Sequence, residues 1–144
     1  MRFTIRNTRK GITYLSLPVG GIIIFITGVL KKSGGGTGII SRMGLFDDDN
    51  GIFLQRSGST VSLVVRSSTS GTASDSNSAT QANWNIDKMD GTGISNIELD
   101  FTKSQILVID FEWLSVGRIR FGFYIFGRIN YCHQITNLNE LTNP

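Results

Sequence analysis

Cys132 and His133 stand side by side, the only cysteine and the only histidine among 144 residues. A thiol becomes a nucleophile when an imidazole lies within hydrogen-bond reach of it. Neighbouring residues on a strand leave opposite faces of the pleat, so this pair would need a bulge to meet. The expectation is a buried Cys132 and a His133 at the surface or at an edge, neither of them catalytic. One cysteine also excludes an intrachain disulfide and any zinc site built from several thiolates.

Asp110 and Glu112 lie two apart and therefore on one face of a strand. Retaining glycosidases hold two carboxyl groups about 5–5.5 Å apart, and two side chains on one strand face can approach that separation. The competing arrangement pairs the acids with Arg118 or Arg120 across a hairpin. That charge pairing is the expected one, so no catalytic residue is assigned and the chain is not expected to be an enzyme.

Asp47, Asp48, Asp49 and Asn50 precede Gly51 and resemble the start of a calcium loop. The glycine and the distal acid are misplaced for the twelve-residue pattern, and the same residues suit a tight hairpin turn. They are kept as calcium candidates, while no metal or other cofactor is expected. The Gly34–Gly38 run lacks the Lys-Ser/Thr of a phosphate loop and reads as a hairpin tip.

Strands must position all of these groups. From Ile119 the chain alternates: Ile119, Phe121, Phe123 and Ile125 face one way, Arg118, Arg120, Gly122 and Tyr124 the other. Phe126-Gly127 supplies a turn, and "RINYCH" returns. "ILVID" is apolar on both faces, as in a central strand. The first face, with Leu107, Ile109 and Phe111, is expected to be core. The charges at Asp110, Glu112, Arg118, Arg120 and Arg128 remove a membrane span, which needs about 20 mostly apolar residues.

Upstream, "RFTIR", "TYLSL", "GIIIFITGVL", "IISRMGLF", "IFLQR" and "TVSLVVRS" read as further strands separated by glycine-rich or polar turns. "SSTSGTASDSNSATQAN", from Ser67 to Asn83, is polar and of low complexity, and is expected to be a long surface loop or crossover. "WNIDKMDGTG" is expected to be a turn or an irregular corner. Nine to eleven strands and no long helix are predicted. The 17 glycines against 17% charged residues agree with a turn-rich β chain.

At this length residues 1–144 are expected to form one β-sandwich domain. Both ends carry unprotected strand-like or turn-like sequence, so the domain is expected to be part of, or completed by, a longer chain or a neighbour. No signal peptide is read at the N-terminus. The net charge is +3, and residues 1–32 hold six Lys/Arg and no acid. This basic end lacks the interleaved aromatics of single-strand binders, so it is read as a solvated face and no nucleic-acid partner is expected.

The segments "SRMGLFDDDNGIFLQ", "ANWNIDKMDGTG" and "DFTKSQILVIDFEWLSVGRIRFGF" together resemble a family of virion-associated proteins from aquatic tailed phages and large DNA viruses. The run from Asp110 to Phe123 is its most specific part. Here the following hairpin has Phe126-Gly127 where an Asp-Gly turn is more usual. The resemblance implies a virion-associated β domain, similar to a lectin or laminin-G jelly roll, made in the host cytoplasm. It brings no catalytic residues.

The fold expected is all-β, an antiparallel two-sheet, jelly-roll-like sandwich. The function expected is that of a non-enzymatic capsid- or tail-associated structural or attachment protein. Its partners would be other virion proteins or further copies of itself, with a trimer favoured over a dimer on the virion analogy. The alternative is a carbohydrate-binding, lectin-like module, for which Trp84, Trp113 and Tyr124 are the candidate glycan-binding residues.

Overall fold

A computed structural model of the chain describes residues 4–8, 12–17, 21–30, 38, 40–112 and 117–136. Its strands are β1 (Thr4–Thr8), β2 (Ile12–Leu17), β3 (Gly21–Gly28), β4 (Ile40–Phe46), β5 (Gly51–Ser57), β6 (Thr60–Ser67), β7 (Ser74–Thr80), β8 (Gln105–Glu112), β9 (Arg118–Ile125) and β10 (Arg128–Thr136). One 3-10 turn, Gln81–Asn83, is the only helical element among the described residues. The chain is all-β and forms two antiparallel sheets, the class that the sequence predicts. One sheet has the order β1-β2-β3-β8-β9-β10 and the other the order β4-β5-β6-β7. No helix of the described residues is long and apolar enough to cross a membrane.

The strands cluster into two compact units. The first comprises Met1–Thr27, Asn85–Asp87 and Gln105–Pro144. Its centre is the β8–β9 ladder, where Leu107 stands opposite Phe123, Ile109 opposite Phe121, and Phe111 opposite Ile119. Leu107, Ile109, Phe121 and Phe123 are fully buried, as the alternation assigns, while Phe111, Ile119 and Ile125 of the same expected set are only half-buried. The opposite face carries Asp110 against Arg120 and Val108 against Gly122.

β9 turns into β10 through Phe126 and Gly127, with Ile125 paired to Arg128. Both turn residues have positive φ, 56° and 73°. This is the requirement of a two-residue type I′ turn, whose twist matches that of the flanking strands. Asn, Asp or Gly usually fill its first position, and a bulky residue there works against backbone sterics. Phe126 nevertheless occupies it.

The second unit, Gly28–Trp84 and Lys88–Ser104, is built on the meander β4-β5-β6-β7. Phe53, Leu54, Leu63, Val64 and Met89 are its most deeply buried apolar residues. Gly44 lets two strands close on each other: a Cβ there would stand 2.5 Å from both Cα and Cβ of Phe53. The guanidinium groups of Arg42 and Arg66 lie 5.3 and 5.4 Å from the Phe53 ring centre. Each adds an electrostatic attraction to the ring face.

The polar segment from Ser67 to Asn83 departs from expectation. Ser74–Thr80 is a strand, β7, not a loop. Among the described residues it pairs only with β6 and forms the sheet's edge, so its backbone bonds need no apolar alternation. Arg66 fixes it with a two-pronged ion pair to Asp75, at 2.7 and 2.9 Å. The stretch from Trp84 to Gly93 is irregular, as predicted, apart from one bridge between Asp90 and Glu98.

Candidate functional site

Asp110 is the centre of a polar cluster on β8, β9 and β10. Its carboxylate is buried and forms an ion pair with Arg120, the residue opposite it in the ladder. The hydroxyl of Tyr131 donates to Asp110 Oδ2 at 3.0 Å. The Arg120 guanidinium also lies 4.3 Å from the Tyr131 ring centre. Tyr131 titrates above its ordinary range because it is buried and because the Asp110 charge opposes a phenolate. The expected cross-strand partner has therefore taken the Asp110 carboxylate. Charge neutralisation and orientation are what this arrangement does chemically; the Glu112 side chain lies outside the described residues.

The Cys132–His133 pair meets the bulge that it requires. The β9–β10 register shifts between Tyr131 and His133, with Cys132 as the extra residue. Strict alternation is lost there, yet the two side chains take separate partners. Cys132 Sγ is fully buried and lies 3.4 Å from the Phe121 carbonyl oxygen, to which it donates. Burial pushes its thiol far above the ordinary range, so it stays protonated and unreactive.

Of the two settings expected for His133, surface or edge, the edge holds: it lies on β10, the last strand of its sheet among the described residues, but its side chain is buried. Its Nδ1 accepts from the Asn85 backbone N–H at 3.1 Å. Asn85 closes a second link, donating its side-chain amide to the Gln134 carbonyl at 2.8 Å and accepting from Gln134 N–H at 2.8 Å. Both Ile86 and Asp87 N–H donate to the Cys132 carbonyl. The bulge thus serves as an anchor for segment 85–87, a role that sequence reasoning missed because 48 residues separate Asn85 from His133.

Burial lowers the pKa of His133 below its ordinary 6.5. The native state holds the ring neutral, while the unfolded chain takes up a proton near that value. His133 stabilisation is therefore complete above pH 6.5 and is lost as pH falls toward the native pKa. Thermal midpoints should fall with acidification from about pH 6.5. In His133→Asn that slope should disappear, because an amide oxygen can still accept from Asn85. The carboxylates with lowered pKa values, Asp47, Asp75, Asp90 and Asp100, act in a separate window below their ordinary 3.8. An unchanged slope in the variant would refute this assignment.

The glycan candidates do not come together. Trp84 is only 3% exposed, and its indole N–H donates to the Ala79 carbonyl at 3.2 Å. The buried ring offers no face to a sugar, which corrects the expectation for this residue. Trp113 lies outside the described residues. Tyr124 is 42% exposed, and Phe25 meets it edge to face with ring centres 6.2 Å apart.

The calcium candidates form a turn. Asp47 Oδ1 accepts from the N–H groups of Asp49 and Asn50, at 2.8 and 2.7 Å. These bonds hold the Asp47 carboxyl below its usual range. Asn50 Oδ1 in turn accepts from Ser68 N–H. No group of three metal-ligating side chains occurs among the described residues.

The second unit also has an open hollow of about 470 Å³, lined by Arg56, Glu98, Leu99, Asp100, Phe101 and Thr102. Arg56 is spent on backbone there, donating to the carbonyls of Gly58 and Leu30. No sequence-predicted site residue lines it.

Among the described residues the most exposed aromatic is Phe126, with 85% of its surface open at the β9–β10 tip. Sequence reasoning noted the unusual turn but did not name Phe126 as a site residue. Its signal was present: a bulky apolar residue where turn chemistry calls for Asn or Asp. No family model, curated protein or solved structure matches this chain.

Proposed function

We propose that the protein is a non-enzymatic structural or attachment component of a virus particle, acting as a homo-oligomer or within a capsid or tail lattice. The viral setting rests on the resemblance of the Asp110–Phe123 run. The observation that carries a binding role is Phe126, 85% exposed at positive φ on a hairpin tip. A residue kept in an unfavourable conformation and in water contributes little to its own fold. Such outliers concentrate where a protein meets a ligand or partner.

The rival reading is a lectin-like module, which the exposed Tyr124 ring beside the same tip favours. Glycan-array screening separates the two. A structural component shows no glycan preference; a defined glycan whose binding is lost in Tyr124→Ala would establish the lectin reading instead.

Phe126→Asn tests the tip itself. Asn tolerates the left-handed region that costs most L-residues about 1–2 kcal/mol. The variant should therefore be more stable than the parent by about 0.5–1 kcal/mol in urea unfolding. A loss of stability would show that Phe126 is part of the fold and not a contact residue.

A further inference from the structure

Among the described residues, strand β4 ends its sheet, with β5 as its one neighbouring strand. An unpaired edge is a template for another strand, and proteins blunt such edges with Pro, Lys, bulges or very short strands. The opposite edge, β7, is blunted: it is a Ser/Asn/Asp strand, and its pairing with β6 carries a register shift. β4 has no Pro, Lys or bulge, and its one charged residue, Arg42, is bonded to Gln55 of its own sheet. It pairs with β5 over seven consecutive residues without a shift, and it leaves Ile40, Leu45 and Phe46 exposed.

The phase of its free hydrogen-bonding groups follows from the adjoining turn. Asp47 N–H donates to the Asn50 carbonyl, which makes Asp47 and Asn50 a hydrogen-bonded pair. Hydrogen-bonded and non-bonded pairs alternate along an antiparallel ladder. Ser41, Met43 and Leu45 therefore bond to β5, while Ile40, Arg42, Gly44 and Phe46 turn their N–H and C=O groups outward. The close approaches agree with this phase. A Cβ on Gly44 would stand 2.5 Å from Phe53, and one on Gly51 would stand 2.3 Å from Phe46 Cβ, as in the narrow non-bonded pairs.

We infer that β4 is the seam by which two copies of this chain join, antiparallel and symmetric about Met43. This rests on the assembly reading above and names its contact. In that register Ile40 stands opposite Phe46 of the second copy, and Arg42 opposite Gly44. Every outward residue then meets an outward residue, so the free backbone groups of both edges pair. The apolar side chains meet each other, and the longest side chain faces the smallest. Arg42 is drawn back over its own sheet, its Nε bonded to Gln55 at 2.8 Å. Two four-stranded sheets become one of eight strands.

The contact closes on itself by a two-fold axis and gives a dimer. A trimer would need β4 to meet the polar β7 of the next copy.

The test uses the full chain in two ways. In a Cys132→Ser background, Ser41→Cys with Leu45→Cys places a thiol opposite a thiol of the second copy, in the non-bonded positions. Within one chain the two sites lie about 13 Å apart, beyond disulfide reach. Mild oxidation should double the mass on non-reducing gels. Separately, Ile40→Lys should shift wild-type dimers to monomers by at least tenfold in dissociation constant, with cooperative melting retained. An oligomer that resists Ile40→Lys and does not cross-link would overturn the β4 seam and leave the assembly reading standing. A wild-type chain that is monomeric at every concentration would overturn both.

Discussion

Phe123→Ala should lower the free energy of unfolding by about 3–5 kcal/mol, the range for truncating a buried aromatic. Phe123 is fully buried, stands opposite Leu107 on β8 and adjoins the Phe121–Ile109 pair on the same face. Removing its ring leaves a cavity between two ladders, and paired strands cannot close it without breaking register. Tyr124→Ala, one residue along and on the other face, should cost less than about 1 kcal/mol because the side chain is part-exposed. Urea unfolding of the two variants checks the face assignment directly. Equal losses, or a larger loss at Tyr124, would show that the faces are reversed, since one residue of slip exchanges the whole set.

Asp110→Ala should be the second costly change, at about 2–4 kcal/mol. Breaking a buried ion pair from one side typically costs about 3–5 kcal/mol, because the partner charge is left uncompensated. The Arg120 side chain retains 28% exposure, so water recovers part of that loss. Tyr131 also loses its acceptor. A double-mutant cycle of Asp110→Ala and Arg120→Ala isolates the pair and should show a coupling of about 1–3 kcal/mol. Additive losses would mean that each residue acts through other contacts. Replacing Asp110 and Arg120 together by apolar residues of similar volume should recover most of the stability, as for other buried ion pairs.

What could be read in the sequence follows from where the signal was local. β8, β9 and β10 were legible because Ile119 to Ile125 alternates without a break and Phe126-Gly127 marks the turn. The Asp110–Arg120 pair was legible for the same reason: once the hairpin is drawn, the two residues fall opposite one another. β7 was not legible. Ser74–Thr80 has no apolar period, and its strand state comes from β6 beside it and from the Arg66–Asp75 ion pair.

Trp84 was misplaced, and the burial of the edge residue His133 was missed, for a different reason. Neither aromaticity nor charge tells which way a side chain points when the backbone leaves regular structure. Trp84 follows a 3-10 turn and turns inward, where the Ala79 carbonyl satisfies its indole N–H. His133 follows a bulge and is covered by Asn85, far away in the chain. The asymmetry between a blunted β7 edge and an unblunted β4 edge appears only when the strand order is known.

The central claim is that this β protein works by assembling, and its mass in solution tests that most directly. Light scattering on the purified full-length chain, from about 1 to 100 μM, spans the range in which a modest interface associates. The account predicts a mass that rises with concentration to a defined multiple of 15.8 kDa, twice that value if the β4 seam is the contact. A well-behaved 15.8 kDa monomer throughout, with normal cooperative melting, would contradict it.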